Sequence, residues 1–490
     1  MLFNSFEFLL FFPLVTFVYF VLTPKYRWIW LLGASCYFYM AFQPIYILIL
    51  AGTITIDYFA GLLIERSEGA RRRQYLIASI VANVGVLAFF KYFNFLNGNV
   101  RDALTIAGMA WPVPQLDMLL PIGLSFHTFQ SLSYTIEVYR GRQKAERSFG
   151  IFALFVMFYP QLVAGPIERP QNLLHRFHEV IPFDHARVRA GLLLMGWGLF
   201  KKVVIADRLA PFVGAVYDSP AGWPGISLIL ATVFFAIQIY CDFSGYSDIA
   251  LGSAQVMGFQ LMKNFDAPYL STSVGNFWRH WHISLSSWFR DYVYIPLGGS
   301  HAVKSRRYAN LLTTFLLSGL WHGASWTYVI WGGLNGLYLV VEQAIGWAPS
   351  SHRERQTLPW GPGRKFLGWL ITTSAICVAW IFFRARTVGD AFLIVSHLGH
   401  GLLTLPSHIT DLPFIRSFVM MRQSKTDFFL SIALILGLMA VEAINRHTPL
   451  RAYVERQPRV FRWAVYYGLI CAIAFLGAFN SVQQFIYFQF

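Results

Sequence analysis

Residues 311–331 read LLTTFLLSGLWHGASWTYVIW, and this mostly apolar stretch carries His322 near its middle. An ionisable side chain inside a membrane-embedded segment costs free energy unless it is paired or wetted, so it marks a candidate functional site. The alternative is a histidine that hydrogen-bonds a neighbouring helix for packing, and the residues alone favour neither. Gly319 and Gly323 flank His322 and would let another backbone or a ligand approach closely.

The composition extends this picture to the whole chain. Of the 490 residues, 56% are hydrophobic, 18% are aromatic and 13% are charged, whereas about 25% of the residues of an average soluble protein are charged. This composition predicts an all-α polytopic membrane protein, with residues 1–490 forming a single integral membrane domain. We predict roughly 10 to 12 crossings, since each needs about 20 mostly apolar residues.

The net charge of +15 is explained best by basic cytoplasmic loops and by contact with anionic lipid headgroups, and not by nucleic acid. The basic loops at residues 65–73 and 140–147 are predicted to be cytoplasmic, which places both termini on the extracytoplasmic side. A basic cytosolic surface would also attract an anionic substrate such as a phosphorylated coenzyme.

Two segments lack the pattern of a simple span. Residues 167–190 mix charges with spaced apolar residues, which is typical of a helix lying at the membrane interface. Residues 263–310 hold no spanning segment but a dense mixture of polar and aromatic side chains. We expect this second segment to be a region of the cytoplasmic side that dips into the protein.

Two histidines stand close together in residues 276–297, which read NFWRHWHISLSSWFRDYVYIPL. On one helix His280 and His282 would point to different faces, so they would not share a metal ion. His282, Ser286 and Phe289 would share a face. The alternative is an amphipathic interfacial helix that is anchored by its tryptophans.

Two aspartates, Asp242 and Asp248, follow an apolar span in QIYCDFSGYSD, residues 238–248. Paired carboxylates can act as acid and base. The glycine between them favours another role, in which the two aspartates cap helix ends around a break and orient neighbouring groups.

The C-terminal residues 484–490 read QFIYFQF, an aromatic ending where a free terminus is usually polar. The hydroxyl of Tyr487 could accept an acyl group. The alternative is an anchor at the membrane interface.

Several familiar motifs are missing from the sequence. It contains no HExxH, no phosphate-binding P-loop and no GxSxG. We therefore predict no metal and no permanently bound cofactor. An alternative function, a polytopic transporter or export channel for polysaccharide or acyl groups, predicts inverted repeats, and none is evident.

Five blocks occur in order along the chain: LPIGLSFHTFQSLSY, PQLVAGPIERP, DFSGYSDIALG, NFDAPYLSTSVGNFWRHWHISLSSWFRDYVYIPLGG and SGLWHGASWTYVIWG. Together they resemble the membrane-bound O-acyltransferase (MBOAT) superfamily over essentially the whole chain. Within it they look most like the bacterial branch of the alginate O-acetyltransferase membrane subunit, with the teichoic-acid D-alanyl transfer protein as a more distant relative. The resemblance implies a helical bundle with re-entrant and interfacial helices around a central tunnel.

The resemblance also implies roles for individual residues. The family's signature histidine falls on His322, which would be the general base on an acceptor hydroxyl. A second position, His or Asn in the family, falls on His282, which would position or polarise the donor thioester. His280 stands where many relatives have arginine. The tail resembles tails of this branch, so Tyr487 is a possible acyl acceptor. The residues expected to support the site or line the tunnel are Asp242, Tyr246, Asp248, Asn276, Trp278, Arg279, Trp281, Ser286 and Trp321.

Substrates and partners follow from the same resemblance. An acetyl group would leave acetyl-CoA, a cytosolic co-substrate, and pass through a funnel lined by residues 263–310 and then past His322. It would reach Tyr487 or a serine of a periplasmic partner that resembles SGNH hydrolases and acetylates a polysaccharide. The protein would lie in the bacterial cytoplasmic (inner) membrane and contact lipids but no nucleic acid.

Overall fold

The computed structural model describes residues 1–117, 120–347, 361–408, 410–448, 450–479 and 485–486. These residues form helices and connecting turns, with no β-strand among them. The α-helices are α1 Phe6–Val21, α2 Pro24–Met40, α3 Ile47–Arg66, α4 Gly69–Ile106, α5 Leu124–Tyr139, α6 Phe149–Met157, α7 Tyr159–Leu162, α8 Pro170–Leu173, α9 His185–Leu199, α10 Asp207–Tyr217, α11 Gly225–Met257, α12 Val274–His280, α13 Ile283–Phe289, α14 Lys304–His322, α15 Trp326–Ala344, α16 Pro362–Arg384, α17 Val388–His408, α18 Leu412–Phe414, α19 Lys425–His447, α20 Leu450–Arg456 and α21 Arg459–Leu476. Three further segments are π-helical, Phe200–Ala206, Arg290–Tyr294 and Ile415–Val419.

Within the described chain, six helices are long and apolar enough to cross a membrane: α3 with its preceding turn, α4, α11, α16, α19 and α21. Helix α1 is apolar but shorter. These helices confirm the predicted all-α multi-pass membrane protein. Length and composition alone do not fix the number of crossings, so roughly 10 to 12 stays a prediction.

The segment 167–190 is not the single interfacial helix that its pattern predicts. Helix α8 is one turn long, a 3₁₀ turn covers Leu174–His178, and α9 begins only at His185. Pro182 lies in the extended stretch before α9. A proline has no backbone N–H and clashes with the preceding helical turn, so a continuous helix through this position is unfavourable.

The prediction that residues 263–310 hold no spanning segment is confirmed, because residues 263–303 contain only short helices and α14, which begins at Lys304, is not among the candidate spans. Helices α12 and α13 have seven residues each and are separated by a sharp turn at Trp281 and His282. Because the segment has no long apolar helix, its short helices and turns can point side chains from different parts of the segment toward one place. The predicted cytoplasmic placement of this segment stays a prediction.

The described chain contains two compact units. The first holds residues 1–195 and 246–263, and the second holds residues 196–245 and 264–490. In the first unit, buried polar side chains pair between helices. The carboxylate of Asp57 accepts hydrogen bonds from Ser79 (2.6 Å) and Asn83 (2.9 Å). Such pairs offset the cost of burying polar groups among apolar helices.

In the second unit, α14 and α15 pack backbone against backbone through glycines. A Cβ atom added at Gly319 would overlap the carbonyl oxygen of Tyr328, and one added at Gly332 would overlap that of Phe315. The close approach of another backbone at Gly319, which the sequence predicts, is therefore confirmed. Since α14 ends at His322, this contact sets the position of His322 relative to α15.

Alanine at Gly332 is expected to force α14 and α15 apart and to destabilise the protein by about 1–3 kcal/mol, the usual cost of overpacking. The measurement is the thermal unfolding midpoint of the purified protein in detergent. Gly333→Ala is the matched control, because its Cβ would meet Leu316 Cδ2 at an ordinary 3.6 Å. Equal midpoints for the two variants would contradict backbone packing at this position.

Candidate active site

His322 lies in an aromatic enclosure at the end of α14. Its side chain is buried, and its ring centroid lies 4.9 Å from Trp321, 4.9 Å from Trp331 and 5.4 Å from Phe383. These rings come from α14, α15 and α16. They shield the buried imidazole from bulk water.

Further tryptophans and the side-chain amide of Asn335 pack around this enclosure and stabilise it. Trp331 stacks on Trp380 with centroids 5.8 Å apart, and the ring of Trp278 lies 5.6 Å from Trp331. The indole N–H of Trp278 donates to Asn335 Oδ1 (3.2 Å), and Asn335 Nδ2 donates to the carbonyl of Trp331 (2.8 Å). Asn335 thus satisfies one indole and fixes the segment that carries another.

His282 occupies the turn between α12 and α13. Its φ of +45° lies in the left-handed region, which costs a residue with a side chain roughly 1–3 kcal/mol and is concentrated at functional sites. Helix α12 ends at His280. The predicted common face of His282, Ser286 and Phe289 on one helix is therefore wrong. The Ser286 hydroxyl instead donates to the carbonyl of Trp281 (3.1 Å).

One hydrogen bond fixes the tautomer of His282. Asn264 Oδ1 accepts from the backbone N–H of Ser284 (3.2 Å) and from its hydroxyl (2.8 Å), so this atom is an oxygen and not the amide nitrogen. His282 Nδ1 lies 3.2 Å from the same oxygen and must donate to it. Burial lowers the pKa of His282 to about 3. The ring is therefore neutral at physiological pH, with its lone pair on Nε2.

Trp321 joins the two histidines. Its ring centroid lies 6.3 Å from that of His282 and 4.9 Å from that of His322. On its other side His282 meets the ring of Phe243 edge-on at 4.6 Å. Trp281 is buried beside this group and packs on Trp380 at 5.0 Å. The structure thus brings together four of the residues that the sequence selects, namely His282, His322, Trp281 and Trp321.

Other residues that the sequence predicts to support the site either hydrogen-bond within residues 271–280 or lie elsewhere. The Asn276 side chain donates to Ser271 Oγ (3.3 Å), and its carbonyl oxygen lies 2.8 Å from His280 Nδ1. Arg279 is exposed. Tyr246 and Asp248 belong to the first unit.

The predicted capping role of Asp242 and Asp248 is wrong, because both lie inside the continuous helix α11. Gly245 does not break this helix. A Cβ atom there would lie 2.7 Å from the carbonyl oxygen of Gly198, so the glycine permits close packing.

Asp242 forms part of a buried ion cluster that the sequence did not reveal. Lys202 Nζ lies 2.7 Å from Asp242 Oδ1 and 2.8 Å from Asp207 Oδ1, and all three side chains are nearly inaccessible to solvent. The second carboxylate oxygen of Asp242 accepts the backbone N–H of Ile486 at 2.8 Å. The available signal was the Lys-Lys pair at 201 and 202 inside an otherwise apolar segment.

A polar cavity of about 380 Å³ adjoins this cluster. Its lining includes five charged residues, Gln238 and one residue of the C-terminal segment, namely Lys202, Asp207, Asp218, Gln238, Asp242, Arg384 and Ile486. Tyr487, the predicted acyl acceptor, lies outside the described residues. Phe485 and Ile486 just before it are described, and both are buried.

Comparison with known proteins identifies relatives of this chain. Residues 147–381 match the model of the membrane-bound O-acyltransferase family, MBOAT. Over 400 residues the chain is 40% identical to a Pseudomonas aeruginosa protein named probable alginate O-acetylase AlgI, covering 80% of this chain and 74% of that protein. A Helicobacter pylori peptidoglycan O-acetyltransferase is 35% identical over 81% of this chain and 79% of its own length. A Streptococcus thermophilus teichoic acid D-alanyltransferase is 28% identical over 54% of this chain and 68% of its own length.

The matched region 147–381 contains both histidines of the aromatic enclosure. The similarity favours acyl transfer over the export-channel alternative. The chain belongs to the membrane-bound O-acyltransferase family and is a multi-pass membrane O-acyltransferase of the branch that includes the alginate O-acetylases.

Proposed function

We propose that this enzyme moves an acetyl group from a cytosolic acetyl-CoA-type donor across the cytoplasmic membrane, for O-acetylation of an extracytoplasmic polysaccharide. The observation that carries the proposal is the pair of buried histidines around Trp321 in an aromatic enclosure. The similarity to an alginate O-acetylase and to a peptidoglycan O-acetyltransferase supports acetyl as the group and a glycan as the final acceptor. A periplasmic partner resembling SGNH hydrolases would complete the transfer.

In this mechanism His322 is the general base. It removes the proton of an acceptor hydroxyl while the oxygen forms a bond to the thioester carbonyl carbon. The carbon–sulfur bond then breaks, and the departing coenzyme thiolate takes up that proton. The ring contacts at His322 support this role, because a water-excluding site hinders hydrolysis of the thioester.

His282 has a more restricted role than the family resemblance implies. Its Nδ1 proton is engaged with Asn264, and a neutral imidazole carries no second proton. Nε2 can accept a hydrogen bond but cannot donate one to the thioester carbonyl. We therefore propose that His282 positions a donor group, either the acceptor hydroxyl or an amide N–H of the pantetheine arm, and does not polarise the carbonyl.

The first acceptor is proposed to be Tyr487, with both chain termini on the extracytoplasmic side. A phenolic ester at this position would hold the acetyl group until the partner's serine removes it. This route supplies an acceptor hydroxyl from the enzyme's own chain. Described residues immediately before Tyr487 are anchored next to a polar cavity, which supports the assignment.

Replacing His322 with alanine is expected to lower acetyl transfer by about 10²–10⁴-fold, the usual contribution of a general base. The measurement is transfer of labelled acetyl from acetyl-CoA in membranes that contain the protein and its partner. His301→Ala, at an exposed histidine, is the control and should behave as wild type. Full transfer by a normally inserted His322→Ala protein would contradict the role of His322 as the general base.

Asn264→Asp is expected to give acetyl transfer a new dependence on pH. An aspartate in place of the amide would stabilise the charged imidazolium and raise the pKa of His282 from its low wild-type value. His282 would then be protonated below the raised pKa, so activity should fall as the pH falls through it. The wild-type enzyme should show no such loss from His282. Identical pH profiles between pH 5 and 8 would contradict the positioning role of a neutral His282.

Tyr487→Phe is expected to abolish acetyl transfer while leaving acetyl-CoA binding intact, because only the accepting hydroxyl is removed. Transfer and donor binding are measured separately on the same purified protein. Tyr467→Phe removes an exposed hydroxyl from α21 and serves as the control. Unchanged transfer by Tyr487→Phe would move the first acceptor to the partner's serine.

A further inference from the structure

We propose that Asp242 is a positioning residue that holds the C-terminal segment at the acyl-transfer site by binding the backbone N–H of Ile486. This inference rests on the proposed function and adds the interaction that holds the C-terminal residues in place. It concerns the cluster of Lys202, Asp207 and Asp242, which is called the ion latch below.

The ammonium group of the ion latch leaves one oxygen of Asp242 available for another donor. Lys202 pairs with one oxygen of Asp207 and one oxygen of Asp242. A buried carboxylate oxygen without a hydrogen-bond donor is strongly unfavourable. The second oxygen of Asp242 remains directed at a donor, and the donor it finds is the N–H of Ile486 at 2.8 Å. The bond from Ile486 is charge-assisted and hence stronger than one between neutral groups.

Lys202 is placed there by an irregular helix. It lies in the π-helical segment Phe200–Ala206 between α9 and α10. Such single-turn widenings of an α-helix are frequent at functional sites. The adjacent Lys201 also lies in this segment, but its ammonium donates to Ser244 Oγ at 2.8 Å. The segment thus directs two consecutive lysines to different partners on α11.

Two further contacts hold the same short segment. The ammonium of Lys202 lies 4.5 Å from the ring centroid of Phe485, a cation–π contact. Phe485 is 1% exposed and Ile486 is 5% exposed. The latch therefore binds a dipeptide through a ring, a backbone N–H and burial. A segment that only anchored the chain in lipid would not need a charged receptor.

The ion latch and the histidines share two helices. On α11, Asp242 is followed by Phe243, whose ring lies 4.6 Å from that of His282. On α16, Phe383 lies 5.4 Å from His322, and the next residue, Arg384, lines the polar cavity beside Ile486. On each helix, one residue therefore belongs to the ion latch or lines its cavity, and the neighbouring residue contacts one of the two histidines. A displacement of either helix would move both places together.

The cavity supplies room and polar contacts for the acceptor group. Its volume is about 380 Å³, and its lining includes Gln238, whose Oε1 is buried and accepts no hydrogen bond from a described residue. Consecutive Cα atoms are about 3.8 Å apart, so holding Ile486 limits the reach of the residue that follows it.

The sharpest test removes the N–H donor without changing the charge of the ion latch. Ile486→Pro deletes the donor and changes no charge, whereas Ile486→Val keeps the donor and nearly the same side chain. We expect Ile486→Pro to lower acetyl transfer at least tenfold with acetyl-CoA binding retained. Ile486→Val, which retains the donor, should transfer at least tenfold faster than Ile486→Pro. Full transfer by Ile486→Pro, or loss of donor binding together with transfer, would overturn the positioning role.

A second pair of variants tests the latch from its other side. In Asp242→Asn the single side-chain oxygen would accept the hydrogen bond from Lys202. The amide NH₂ would then face the N–H of Ile486, and two donors cannot form a hydrogen bond with each other. Asp207→Asn also removes one carboxylate from Lys202 but leaves both oxygens of Asp242. We expect hydrogen exchange at the Ile486 amide to quicken only in Asp242→Asn. Equal effects of both variants on exchange and transfer would mean that the cluster only stabilises the fold.

The outcomes separate this inference from the acceptor assignment. If Tyr487→Phe transfers normally while Ile486→Pro does not, the latch stands and the acceptor is another hydroxyl. If Tyr487→Phe is inactive while Ile486→Pro transfers normally, the acceptor stands and the latch is refuted.

Discussion

The need to pair every polar group buried among apolar helices is the constraint on which this structure depends. Asp57 is satisfied by two side chains, Lys202 by two carboxylates, and His282 by the amide of Asn264. In each case the partner comes from a different helix or a turn. Polar pairs therefore specify which helices meet, while the apolar surfaces supply most of the stabilisation without direction.

The need to pair buried polar groups also sets the state of the candidate catalytic side chains. A histidine that must donate through Nδ1 has only one state left for Nε2, so the hydrogen bond to Asn264 fixes what His282 can do. His322 is enclosed by rings that offer no competing proton acceptor comparable to a carboxylate. Close glycine contacts between α14 and α15 hold this enclosure together. Fold and site thus depend on the same contacts.

Sequence reasoning reached the membrane class and the family, and it selected the two histidines that the structure places beside Trp321, because apolar runs and local blocks such as WHG are visible without long-range contacts. It missed the break at His282, since a left-handed residue between two short helices has no periodic signature. It also placed Asp242 at a helix end, because Gly245 looked like a breaker. That glycine instead admits the backbone of Gly198, a contact 47 positions away that no local pattern shows.

The central claim is that the donor thioester reacts between His322 and His282. The most direct measurement is an experimental structure of the full-length protein with a non-hydrolysable thioether analogue of acetyl-CoA. The account predicts the acetyl end beside His322, with a donor group of the analogue or of the acceptor at His282 Nε2. An analogue bound with its acetyl end away from both imidazoles would contradict it.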